Sequence, residues 1–160
     1  MKKMNKKNGF TLIELIIVMV ILGIMAAVAV PKYLDSISNA EESAEDAVIS
    51  AIRSGLRQAA SDSLYTNGRA SWPNNPFDVL SEKPAGHNPD NTTMAAVDGE
   101  WTYIPPTAAG PAAGDGAQGK ITHQRADNSR YTWDYNAGTQ NRDDANEAKV
   151  GTLGQRTKNF

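Results

Sequence analysis

Glu14 is the residue whose chemistry most needs an explanation. It lies inside FTLIELIIVMVILGIMAAVAV, a run of 21 residues from Phe10 to Val30 that only Thr11, Glu14 and Gly23 interrupt. A carboxylate near the start of an apolar span costs on the order of 1–3 kcal/mol, because hydrocarbon offers no water to solvate it. Such a group has a partner, or it sits close enough to the headgroups to reach water. Other reactive side chains are sparse. The two histidines, His87 and His123, are not at metal-ligand spacing, and the chain has no HExxH, phosphate-binding glycine loop or nucleophile elbow. With no cysteine there is no thiolate and no disulfide. Enzymatic activity is not expected. Asn91-Thr92-Thr93 fits the N-glycosylation pattern, which is short and common.

The elements that position Glu14 follow from the run itself. At about 1.5 Å rise per residue, a helix over Phe10–Val30 spans the roughly 30 Å hydrocarbon core of a bilayer. Lys2, Lys3, Lys6 and Lys7 precede it and should stay on the cytoplasmic side, with the rest of the chain outside. A secretory signal peptide cleaved after Ala29 is a second reading, on Ala27, Val28 and Ala29. The run is longer than the usual ~7–15 residues of a signal h-region, and it contains a carboxylate. A plain single-pass anchor is a third, and it leaves Glu14 unexplained.

At 160 residues the chain has room for one modest domain. Its 16 basic and 18 acidic residues are nearly balanced, so no nucleic acid is expected as a partner. Without the first nine residues, 12 basic and 18 acidic residues remain, a formal net charge of −6.

Lys6, Lys7, Asn8, Gly9, Phe10, Thr11, Leu12, Ile13 and Glu14 resemble the processing and assembly motif of type IV pilins and type II secretion pseudopilins. The likeness extends through Leu15 to Pro31 and is weak beyond about residue 65. It implies that a prepilin peptidase cuts after Gly9 and methylates the new amino group of Phe10. Glycine, lacking a Cβ, lets the backbone approach the protease closely, and a bulky residue there should block the cut. It further implies that Glu14 pairs with the Phe10 amine of a neighbouring subunit, which offsets the desolvation of both charges and sets the axial register of the helices. Gly23 and Pro31 match positions where the family's helix bends or loosens, and a kink or locally melted stretch is expected between them. Asp115 and Asp127 could supply oxygens to calcium, as in some related pseudopilins, although no EF-hand-like repeat appears. Beyond that, no cofactor or metal is expected.

After Val30 the pattern becomes amphipathic. Tyr33, Leu34, Ile37, Ala40, Ala44, Val48, Ala51, Ile52, Leu56 and Ala59 recur at three- and four-residue steps. Asp35, Glu41, Glu42, Glu45, Asp46, Arg53 and Arg57 are assigned to the opposite, solvated face. Residues 66–98 read as a long loop fastened by Phe77 and Leu80. Three segments alternate as strands: Glu100–Ile104, Lys120–His123 and Arg130–Tyr135. Trp101, Tyr103 and Ile121 share a face with Tyr131, Trp133 and Tyr135 or their backs. Pro105–Gly119 reads as a surface loop. The tail from Ala137 is polar, with a short helical turn possible over Asp144–Val150 and Val150, Leu153 and Phe160 as tethers.

The expected fold is α+β: leader 1–9, membrane-spanning assembly helix 10–30 and amphipathic helix 31–65, packed on a small antiparallel sheet within 66–160, pilin-like. The resemblance implies a structural subunit of a type IV pilus or similar filament. The alternatives are a type II secretion pseudopilin and a membrane-anchored or secreted binding module. Its partners would be copies of itself, the prepilin peptidase and the inner-membrane assembly machinery. The precursor belongs in the bacterial inner membrane, and the product in a pilus or periplasmic filament.

Overall fold

The computed structural model of the chain describes residues 9–106, 118–139 and 150–159. It divides into two compact units between Ser43 and Ala44. In the first, helix α1 (Leu12–Asn67) begins and runs without interruption through Gly23 and Pro31. The melted stretch expected there is absent. A proline withholds one N–H and crowds the carbonyl four residues before it, which can bend a helix without ending it, and the apolar run before it holds no other helix breaker except Gly23. From Leu12 to Ile37 every large apolar side chain is exposed.

The second unit holds the rest of α1 and the sheet. Strands β2 (Trp101–Ile104), β3 (Gln118–Gln124), β4 (Arg130–Asn136) and β6 (Thr157–Asn159) form an antiparallel sheet in the order β2-β3-β4-β6. Strands β1 (Ser71–Trp72) and β5 (Gly138–Thr139) pair separately. The three expected strands are therefore present with slightly shifted ends. The loop after α1 is more structured than its composition indicates, containing β1 and a 3-10 turn over Pro76–Val79 whose first N–H groups are capped by Asn75. The tail is also tied down: β6 takes the open edge of β4, and Val150 is buried. Asp144 and Phe160 lie outside the described residues.

Register explains the core. Trp101 faces His123, which faces Tyr131; Tyr103 faces Ile121, which faces Trp133. Side chains directly opposite share a face, so Tyr131, Trp133 and Tyr135 join the face of Trp101 and Ile121. With Ile49, Ile52 and Leu56 of α1 and Phe77 of the 3-10 turn, Trp101, Tyr103, Ile121, Trp133 and Tyr135 form the core, and the half-buried Tyr131 packs against it. The other face carries Thr102, Thr122 and Thr132 in line. A relay of hydrogen bonds fastens the loop over it. Ala95 N–H donates to Thr122 Oγ1 at 2.7 Å, the Thr122 hydroxyl to Thr102 Oγ1 at 2.7 Å, and the Thr102 hydroxyl to the Thr93 carbonyl at 2.6 Å.

Gly119 sits beside the buried phenol of Tyr103, where a Cβ would overlap the ring. Burial pushes the Tyr103 phenol up to about 12. Gly119→Val should cost about 1–3 kcal/mol by overpacking. Thermal unfolding of the detergent-solubilised chain, followed by tyrosine and tryptophan near-UV dichroism, should show the lower midpoint. An unchanged midpoint would contradict this packing.

Candidate functional site

Thr-Leu-Ile-Glu at residues 11–14 is a helix start. Thr11 caps α1 and Glu14 occupies the third helical position, the arrangement in which the two satisfy each other's backbone N–H groups. Glu14 Oε2 accepts from the Thr11 backbone N–H at 2.8 Å and from its hydroxyl at 2.7 Å, while Glu14 N–H donates to Thr11 Oγ1 at 3.3 Å. Both of these bonds to the carboxylate fall on Oε2.

Gly9 and Phe10 precede this cap and are exposed, Phe10 by 94%. Gly9 has nothing within 4 Å of where a Cβ would stand. The structure thus places Gly9 and Phe10 just before α1 and Glu14 in its first turn, with Thr11 as the group that holds the carboxylate. Thr11 was not singled out from the sequence, although the threonine-to-glutamate spacing of a capping box was there to read. Gly23 and Pro31 lie in the exposed part of α1, and nothing stands within 4 Å of a Cβ at Gly23.

A second carboxylate departs from expectation. Glu45, assigned to the solvated face, is fully buried. Oε1 accepts from His123 Nδ1 at 2.8 Å and Arg125 Nε at 2.7 Å; Oε2 accepts from Arg125 Nη2 at 2.6 Å and Arg156 Nη1 at 3.2 Å. Four donors occupy its four acceptor positions. The Arg125 guanidinium in turn lies 4.1 Å from the Tyr131 ring centroid. Glu45 precedes Ile49, Ile52 and Leu56 at steps of four, three and four, so it belongs to the buried stripe. That spacing was the available signal. Burial pushes its pKa up, but the Arg125 bonds, and after them the His123 bond, outweigh this and hold it at about 2.

Glu100 is a similar socket for the loop before β2. It accepts from the Ala96 N–H at 2.8 Å, Asn91 Nδ2 at 3.1 Å, Asn88 Nδ2 at 2.8 Å and the Val97 N–H at 3.3 Å. The Ala96 bond first, and Asn91 next, bring it to about 2 against the effect of burial. Asn91 of the glycosylation pattern is therefore engaged on both amide atoms, its Oδ1 accepting from the Thr93 N–H at 2.9 Å.

His87 packs on Phe77 with ring centroids 4.3 Å apart, and burial lowers its pKa. Asp127 Oδ1 accepts from the Ser129 N–H at 2.8 Å as a turn former. Asp115 lies outside the described residues. Among the described residues no group of three or more His, Asp or Glu side chains is placed to hold a metal. The strand aromatics a ligand platform would use, Trp101, Trp133, Tyr103 and Tyr135, are buried in the core.

Both Glu45 and Glu100 have folded pKa values below the ordinary carboxylate range, so their contribution is fully present above about 4.5 and is lost as the pH falls toward about 2. Removing Glu45 strands the buried Arg125 cation, a loss of about 3–5 kcal/mol. Glu45→Gln should lower the unfolding midpoint at neutral pH and flatten its fall below pH 5, read by thermal melts across pH. A variant with the wild-type pH profile would contradict the assignment.

The family described as the prokaryotic N-terminal methylation motif matches residues 4–30. The chain is 49% identical over 49 residues to a type IV narrow pilus major component of Thermus thermophilus, covering 31% of this chain and 42% of that protein. It is 43% identical over 76 residues to a type IV major pilin protein of Neisseria gonorrhoeae, covering 47% and 33%. Over 93 residues it is 33% identical to the type II secretion system core protein G of Vibrio cholerae, covering 57% and 60%. The matched part spans between about a third and three fifths of these relatives' lengths. No solved structure matches the chain.

Proposed function

We propose that this chain, whose N-terminal segment is that of the type IV pilin and pseudopilin family, is a structural subunit of a type IV pilus or a filament of that kind. The observation that carries the reading is the first half of α1: apolar, exposed throughout, and headed by a carboxylate in its first turn, four residues after Phe10. In the precursor this span lies in the inner membrane. A prepilin peptidase cuts after Gly9 and methylates the freed Phe10 amine. The cation then stands at the helix N-terminus, and the Glu14 carboxylate of a neighbouring subunit receives it.

Leaving either charge alone in an apolar bundle costs more than the pair contributes, so pairing selects the subunit inserted at the correct height. Gly23 and Pro31 are where the helix yields as it passes from lipid to bundle. A pseudopilin of a type II secretion system is the second reading, favoured by the 93-residue match to core protein G.

Glu14→Val should be cut and methylated normally, yet give filament yields at least about tenfold lower, the consequence of one unpaired buried cation. Gly9→Val should stay at precursor length. Blots of cell-associated and sheared fractions report both. Wild-type filament yield from Glu14→Val would sink the register pair, and normal cutting of Gly9→Val would sink the processing site.

A further inference from the structure

Arg53 and Arg57 stand four residues apart on α1, where side chains are neighbours and like charges repel. No acid along the helix offsets them. Apart from each other, the positions three and four residues to either side of the two hold Ile49, Ser50, Ser54, Leu56, Ala60 and Ser61. The bonds they make elsewhere are to neutral carbonyls. Arg53 Nη2 donates to the Leu153 and Gly154 carbonyls at 3.4 and 2.9 Å, and its Nε–H is buried without an acceptor among the described residues. Arg57 Nε donates to the Arg53 carbonyl at 3.2 Å, which uses one of the five N–H groups of its guanidinium. Arg125 and Arg156, by contrast, reach the Glu45 carboxylate at 2.6 and 3.2 Å. Among the described residues no carboxylate pairs with Arg53 or Arg57.

The two arginines border two clefts. One, of about 530 Å³, is also bordered by Asp46, which lies 3.9 Å from Arg156. The other, of about 420 Å³, has no carboxylate in its lining. Besides the guanidiniums it is lined by the buried Leu56, by Leu153 and by the half-buried Trp72. Trp72 is locked in place. Its backbone pairs with Gly138, and its indole lies against Gly151, where a Cβ would stand 2.2 Å from a ring atom. The φ of +79° at Gly151 also favours glycine.

We propose that the cleft on the Trp72 side is a binding site for a small phosphate monoester with a flat apolar body, its phosphate held by Arg53 and Arg57 and its body lying against Trp72, Leu56 and Leu153. Charge selects the head group. A phosphate monoester carries about −1.5 to −2 near pH 7 and meets two guanidiniums better than the single charge of a carboxylate does. The lining selects the body, because inorganic phosphate alone leaves the indole and Leu153 uncovered in a cleft large enough for a small molecule. Arg53 and Trp72 are fixed before the ligand arrives, so the ordering cost of binding falls mainly on Arg57. All of these residues belong to the second unit, and the site does not rest on the filament reading.

Isothermal titration calorimetry of the full-length chain in neutral detergent, at constant ionic strength, tests the site with phenyl phosphate, inorganic phosphate and benzoate. Phenyl phosphate should bind saturably, one per chain, and at least about tenfold more tightly than the other two, which lack the body or the second charge. Arg57 is exposed, so Arg57→Gln should keep the near-UV dichroism while weakening phenyl phosphate at least about tenfold. Lys158→Gln removes the same charge from β6, outside the cleft, and should leave the affinity within about twofold. Absence of saturable phenyl phosphate binding overturns the site. Equal affinity for inorganic phosphate overturns the apolar body, and equal affinity for benzoate overturns the phosphate head. Wild-type affinity in Arg57→Gln, or a loss in Lys158→Gln as large as in Arg57→Gln, overturns the placement.

Discussion

From Leu12 to Ile37 the large apolar side chains of helix α1 have no cover among the described residues, and water is a poor solvent for them. Two environments satisfy such a surface, the hydrocarbon of a bilayer and the helices of neighbouring copies. Passing from one to the other changes little for Leu, Ile and Val side chains. It changes a great deal for a charge. Glu14 is the one charged side chain between Leu12 and Val30, so the difference falls on it. Its capping bonds to the Thr11 N–H and hydroxyl hold the carboxylate through one oxygen, Oε2.

The opposite demand is met where α1 enters the second unit. Glu45 is the first buried residue of the helix, and it binds donors from the end of β3, the turn after it and the tail. A buried pair of this kind contributes modestly to net stability and strongly to specificity, because each group is costly without the others. The carboxylates of Glu45 and Glu100 and the threonine relay across β2 and β3 do for this chain part of what disulfides do in other small domains. They fix a long loop and a polar tail that have few apolar side chains to bury.

The parts legible in the sequence were those written in local periodicity. The apolar span, the amphipathic rear of α1 and the alternation in β2, β3 and β4 each repeat within a few residues, and their physics is local. Glu45 was misassigned because residue type was weighed above its place in the Ile49, Ile52, Leu56 stripe. The donors that make its burial tolerable are 78, 80 and 111 residues away, a separation no local pattern encodes. Strand β6 was missed for a related reason. Thr157-Lys158-Asn159 has no alternation of its own, and the open edge of β4 makes it a strand. Thr11 shows the contrary case, a cap whose signature was present and was overshadowed by the carboxylate it serves.

The central claim, that the helix is a processed assembly element and neither a plain anchor nor a signal peptide, makes a statement about one covalent bond. Intact-mass and N-terminal peptide mass spectrometry of the mature chain reads that bond directly. The account predicts a chain that begins at Phe10 and carries one added methyl group on its amine. A mature chain that still begins at Met1, or one that begins at Val30, would contradict it.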